Sequence, residues 1–170
     1  VVVDKKLEGT AEKFAINYEA LPKDVLPGEL ILLDDGKIHL QVIETNGKDT
    51  IKAKILHGGL LTSNKGVNLP NTKISLPCLT EKDLEDLDFA IAQDFDWIGL
   101  SFVRSARDII ELKHIISNSK CKAKVIAKIE KPEAVADIDD IIKETDALMV
   151  ARGDLGGEIP MEDVPLTQKM

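Results

Sequence analysis

The apolar positions of this 170-residue chain change period near residue 75. Before that point, short runs of Leu, Ile and Val alternate with turn residues: "GELILLDDGK", then "IHLQVIETNGKD", then "TIKAKILHGG". Asp35-Gly36 and Asn46-Gly47 are hairpin dipeptides, since tight hairpins need positive φ where Gly and Asn meet little steric resistance. Ile51, Ala53 and Ile55 alternate with Lys52 and Lys54, which predicts a strand with one wet face. This half reads as an antiparallel sheet or a small barrel.

After residue 75 the apolar spacing becomes helix, strand, helix, strand. Thr80-x-x-Asp83 and Ser105-x-x-Asp108 have the form of capping boxes that open helices. Leu84, Leu87 and Ile91 make one buried stripe, and Ile109, Leu112 and Ile116 a second. Pro132 suits the first turn of a third helix, with Val135, Ile138 and Ile142 as its buried face. Three apolar runs lie between or after these helices: "WIGLSFV" at 97–103, "KVIAKIE" at 124–130 and "ALMVARGD" at 147–154. Strands apolar on both faces and separated by single helices predict a parallel α/β sheet. The pattern leaves open an eight-fold barrel and a doubly wound sheet, and three βα units cannot close a barrel of about eight strands.

In such sheets ligands bind at the C-terminal ends of the strands. Each predicted strand ends in polar chemistry: Ser101 and Arg104, then Lys128 and Glu130, then Arg152, Gly153 and Asp154. Residues two apart share a strand face, so Lys128 and Glu130 are expected to project together, as are Arg152 and Asp154. On neighbouring strands, Glu130 and Asp154 would converge as two carboxylates suited to a hard cation such as Mg²⁺. The plainer alternative is a pair of structural salt bridges finishing the strands. Gly153 and Gly156 favour a tight turn that presents backbone N–H groups to an anion. Neither a P-loop nor a dinucleotide fingerprint occurs.

Composition narrows the partners. With 30 acidic against 22 basic residues and 4% aromatics, the chain lacks the basic stripe and stacking surface of a nucleic-acid binder. No apolar stretch approaches the ~20 residues that span a membrane, and no signal peptide is evident. Cys78 and Cys121 form no CxxC pair and are expected to be reduced core thiols of a cytosolic protein. His39, His57 and His114 share no metal-ligand spacing.

At the charged strand ends the sequence resembles the pyruvate kinase family. The motifs are "KGVNLP" at 65–70, "SLPCLTEKD" at 75–83, "SFVRSARD" at 101–108, "KIEKPEAV" at 128–135 and "MVARGDLGGEIP" at 149–160, joined by "ILLDDGKI" in the first half. The resemblance implies an α/β protein: residues 1–72 as an incomplete antiparallel β-barrel lid (B domain), then residues 73–170 as the central part, three βα units, of a partial (β/α)8 TIM barrel. It implies phosphoryl transfer from phosphoenolpyruvate to ADP in glycolysis, in the cytoplasm, with Mg²⁺ (or Mn²⁺) and K⁺. The potassium ligands are not among these residues. Carried over by motif, Lys128 is the catalytic and substrate-binding lysine and Glu130 and Asp154 are the metal ligands. Gly153 and Asp154 hold the substrate carboxylate, and Lys65 reaches the nucleotide phosphates. The family usually has Val or Ile where Gly157 stands. The resemblance also implies a homotetrameric longer enzyme, of which this chain would be an internal piece, inactive alone and prone to self-association. The alternatives are another Mg²⁺-dependent barrel enzyme acting on phosphoenolpyruvate or pyruvate, of aldolase or lyase type, or a folded piece with no chemistry. The lid motifs separate the kinase from the aldolase.

Overall fold

A computed structural model describes residues 1–4 and 7–170, which form two compact units, Val1–Leu76 and Pro77–Met170. In the first unit, a short helix α1 (Leu21–Asp24) precedes β1 (Leu30–Leu33), β2 (Ile38–Thr45), β3 (Ile51–His57) and β4 (Val67–Asn68). The strands are antiparallel, in the order β3-β2-β1-β4. The β1–β2 turn is built as the Asp-Asp-Gly sequence suggests: Asp34, Asp35 and Gly36 all have positive φ, at 52°, 55° and 79°. Ile31, Leu33, Ile38, Leu40, Val42 and Ile51 join Leu21 and Val25 in the core of this unit.

The predicted wet-and-dry alternation of β3 holds only at its start. Ile51 is buried, Ala53 half-buried and Ile55 exposed. Beyond Ile51, which exchanges backbone bonds with Val1 at 2.8 Å in both directions, β3 runs along β2 through two register shifts and its second half leaves the core.

The second unit contains α2 (Glu81–Ala92), β5 (Trp97–Leu100), α3 (Ala106–Ser117), β6 (Lys124–Ile129), α4 (Pro132–Ala136), α5 (Ile138–Glu144), β7 (Ala147–Val150), α6 (Arg152–Leu155), a 3₁₀ turn (Met161–Asp163) and α7 (Val164–Lys169). The three strands are parallel in the order β5-β6-β7, so β6 is central. Thr80 opens α2 with the predicted capping box, its hydroxyl receiving the Asp83 amide while the Asp83 carboxylate receives the Thr80 amide. Asp108 likewise accepts the Ser105 amide at 3.2 Å at the start of α3.

Val125, Ala127 and Ile129 on one face of β6 are buried with Ile109, Leu112 and Ile116 of α3, Leu87 of α2 and Ile141 of α5. Leu84, expected on the buried stripe of α2, is 40% exposed. The expected third helix is broken into α4 and α5 at Asp137, whose carboxylate accepts the Ala106 amide at the start of α3 (2.8 Å). The break turns the downstream face, so Ile141 is fully buried and Ile142, expected inside, is exposed. Burial on both sheet faces is also not observed. The outer strands have one neighbour each, and Trp97, Leu148 and Met149 remain exposed.

Candidate active site

The strands are shorter than their apolar runs, and this reshapes the site. β5 stops at Leu100 because Phe102 adopts a left-handed backbone, φ 53°. A bulky residue rarely tolerates that region, at a cost of about 1–2 kcal/mol, so the turn is held by its surroundings. One holder is plain: the Phe102 amide donates to Glu130 Oε2 at 2.8 Å. β7 stops at Val150, and residues 152–155 form the helical turn α6. Arg152 and Asp154 therefore do not share a strand face, and on a helical turn residues two apart point away from one another.

Lys128 and Glu130 are brought together as the sequence predicts. Lys128 Nζ lies 2.6 Å from Glu130 Oε1 and donates to Ser101 Oγ at 2.8 Å, across the β5–β6 pairing. Among the described residues, these contacts engage two of its three ammonium donors. The lysine side chain is 26% exposed, whereas the glutamate is at 1%. The cation is reachable and the carboxylate is fixed from both sides beneath it.

Asp154 is exposed on α6, which begins where the Ala151 amide donates to Ile129 O at 3.2 Å. The turn is therefore fastened to the end of β6, one residue before Glu130. The first hydrogen bond within α6 runs from the Leu155 amide to Ala151 O, so the Gly153 and Asp154 amides stand ahead of it. A Cβ at Gly153 would meet nothing within 4 Å, so local packing does not require glycine there. At Gly156 a Cβ would come within 3.0 Å of Met161 Sδ and 3.2 Å of Arg152 O, so that glycine serves close packing.

Lys65 belongs to the first unit. Its ammonium lies 2.9 Å from Asp34 Oδ1, and Lys37 holds Oδ2 at 3.0 Å. The hydrogen bond from Lys65, then that from Lys37, holds the Asp34 carboxyl below its usual range, and Asp34 in turn raises the Lys65 ammonium.

Two features escaped sequence reasoning. One is Asp34 as the partner of Lys65, for which the doubled Asp in "LLDDGK" was the only signal. The other is a second ion pair at the end of β6, Lys131 with Glu158 at 2.7 Å, both buried. Cys121 is buried and Cys78 half-buried, its thiol pushed up to about 12 chiefly by burial and then by the Asp108 charge.

Among the described residues, no three His, Cys, Asp or Glu side chains cluster as a metal-holding group. The donors at the strand ends are two carboxylates, Glu130 and Asp154. Oxygen donors of this kind suit a hard cation and not a soft or closed structural metal site, and Glu130, with Oε1 on Lys128 and Oε2 on the Phe102 amide, has only its remaining lone pairs to offer one. No helix among the described residues is long and apolar enough to cross a membrane.

A family model described as "Pyruvate kinase, barrel domain" matches residues 1–170. The chain is 47% identical over 170 residues to the pyruvate kinases of Staphylococcus aureus strains MRSA252, USA300 and NCTC 8325 / PS 47. Each alignment covers 99% of this chain and 29% of the relative, so the chain spans less than a third of the length of these curated relatives.

Proposed function

This chain belongs to the pyruvate kinase family, and from that premise we propose that its second unit carries the phosphoryl-transfer centre of an enzyme that converts phosphoenolpyruvate and ADP to pyruvate and ATP. The observation that carries the reading is the Lys128–Glu130 pair: a partly exposed cation held in place by a buried carboxylate and the Ser101 hydroxyl. Phosphoryl transfer asks little covalent work of a protein. It needs in-line positioning and compensation of charge on the phosphoryl oxygens.

Lys128 is the group that meets the phosphoryl oxygens, with Ser101 and Glu130 holding its ammonium in place. Glu130 and Asp154 hold Mg²⁺ or Mn²⁺, and the bound ion supplies further neutralisation of phosphoryl charge. The Gly153 and Asp154 amides receive the substrate carboxylate, and the absence of a side chain at 153 gives that group room to approach. Lys65 serves the nucleotide phosphates from the lid unit, residues 1–72, and residues 73–170 contribute three βα units to a (β/α)8 barrel. K⁺, a cytoplasmic setting and a homotetrameric whole enzyme belong to the same proposal, as does inactivity of these 170 residues alone. Exposed Trp97, Leu148 and Met149, with the unpaired edges of β5 and β7, support self-association of the isolated chain. Light scattering that finds only monomer at high concentration would count against that last point.

The test is a graft of these residues in place of the matching stretch of the Staphylococcus aureus relative, in a coupled assay of pyruvate release with Mg²⁺ and K⁺. Turnover is expected, falling ~10²–10³-fold for Lys128→Met, the scale of one preorganised charge. A folded graft without turnover, or one indifferent to Lys128, overturns the reading.

A further inference from the structure

We propose that the Lys131–Glu158 ion pair is a latch that sets the position of the 152–155 turn, and with it Asp154, against the end of β6. The inference rests on the reading of Glu130 and Asp154 as the metal site. Two lysine–glutamate pairs stand at this strand end, and they differ in access. Lys128 is reachable at 26% exposure, whereas the side chains of Lys131 and Glu158 are at 9% and 2%. A pair sealed to that degree does not touch substrate, so its work is done through what it joins.

What it joins is specific. Lys131 follows Glu130 directly and is anchored as the N-cap of α4, its carbonyl accepting the Ala134 amide at 3.1 Å. Glu158 closes the other end of the segment that carries Arg152, Gly153 and Asp154. Its amide donates to Leu155 O at 3.0 Å, and Leu155 is fully buried. The segment is therefore pinned at Ala151 by its bond to Ile129 O, in the middle by Leu155, and at its end by the ammonium of Lys131. Of these pins, the Lys131 ammonium is the one that ties the far end of the segment to the residue next to Glu130. Between Leu155 and Glu158, the Gly156 and Gly157 amides donate to Arg152 O and Asp154 O, each at 3.0 Å, so the turn runs into Glu158 through its own backbone bonds and a tie at Glu158 acts on the turn as a whole.

A buried ion pair is a poor device for raw stability, since well-packed apolar residues do as well, but removing one partner strands the other charge, so the two side chains stay where the fold joins them. Lys131 and Glu158 are thus positioning residues for Asp154, as outer partners orient metal ligands elsewhere.

Amide hydrogen exchange on the 170-residue chain tests the latch without any metal. Glu158→Gln, which keeps shape and can still accept a weaker bond, and Lys131→Met are each expected to speed exchange in 152–158 about tenfold or more. Exchange in the core strand 124–129 is expected to stay unchanged. The reversed pair, Lys131→Glu with Glu158→Lys, is expected to restore slow exchange. Unchanged exchange in 152–158, or a rise shared equally with 124–129, overturns the latch and leaves a merely structural pair. Mn²⁺ titration of the Staphylococcus aureus graft, followed by electron paramagnetic resonance, then reads the consequence. The single variants are expected to bind Mn²⁺ ~10–100-fold more weakly, with recovery in the reversed pair. Equal affinity in all of them overturns the link to Asp154. A graft that binds no Mn²⁺ even with native residues overturns the metal-site reading instead, while the exchange result judges the latch by itself.

Discussion

Lys128 and Glu130, two residues apart at the end of β6, hold each other at 2.6 Å with unequal access to water: the cation is 26% exposed and the carboxylate 1%. The asymmetry follows from the chain. Strand geometry places both on the face opposite Val125, Ala127 and Ile129, and the turn after β5 then folds over the glutamate so that the Phe102 amide meets its second oxygen.

From this pair follows a stability effect that accompanies the loss of turnover. Lys128→Met leaves the Glu130 carboxylate buried with one oxygen deprived of its cation, which costs about 3–5 kcal/mol. Pairing it with Glu130→Gln removes the stranded charge, and the double variant is expected to be more stable than Lys128→Met. Thermal unfolding of the three proteins checks this, and a double variant less stable than Lys128→Met contradicts it.

The break between α4 and α5 makes adjacent isoleucines unequal. Ile141→Ala empties a fully buried site and is expected to cost ~2–5 kcal/mol. Ile142→Ala removes an exposed side chain and is expected to stay within about 0.5 kcal/mol. Chemical denaturation separates the two, and equal losses would mean that the third helix runs unbroken.

Asp146 sets an acid limit on the second unit. Its Oδ2 accepts the Val125 amide at 2.8 Å and lies 3.0 Å from Lys113 Nζ. The backbone hydrogen bond and then the lysine outweigh desolvation and hold its carboxyl below the ordinary 3.8. A depressed carboxylate contributes stability that is fully present above its unfolded value and is lost as pH falls through the folded one. The native chain should therefore lose stability below about pH 4 more steeply than Asp146→Asn, whose amide does not titrate. Coincident acid-unfolding slopes are the contrary result.

In the first unit, Asp34 controls the chemistry of Lys65. Because Asp34 raises the Lys65 ammonium, less free amine is present at a given pH. Asp34→Asn is expected to speed acylation of Lys65 at mildly alkaline pH, measured by peptide mass spectrometry against Lys52, whose ion pair is with exposed Glu44 at 3.7 Å. An unchanged rate ratio would show that the 2.9 Å pair does not persist in solution.

Both thiols should resist alkylation in the folded chain. Only the thiolate reacts, and a Cys78 thiol pushed up to about 12 leaves almost none at neutral pH, while Cys121 is buried. Rapid labelling of Cys78 by iodoacetamide at pH 7.5, without unfolding, is the outcome that contradicts its half-buried placement.

Much of this protein is local, and the sequence by itself determined that part. The Asp-Asp-Gly turn, the Thr80 capping box, the Ile109–Leu112–Ile116 stripe and the Lys128-x-Glu130 spacing each depend on residues a few positions apart, where backbone geometry leaves few choices. The tertiary structure decided what depends on distant partners. The 97–103 and 147–154 runs are apolar enough to continue as strands, yet they stop at Leu100 and Val150. Phe102 turns where Glu130 can take its amide, and α6 is fastened to Ile129. Ile141 was chosen over Ile142 because Asp137 reaches the start of α3. Lys131 found Glu158, and Lys65 found Asp34, across 27 and 31 positions of chain. No periodicity marks such pairs, because desolvation and charge pairing are settled only when the chain has closed around them.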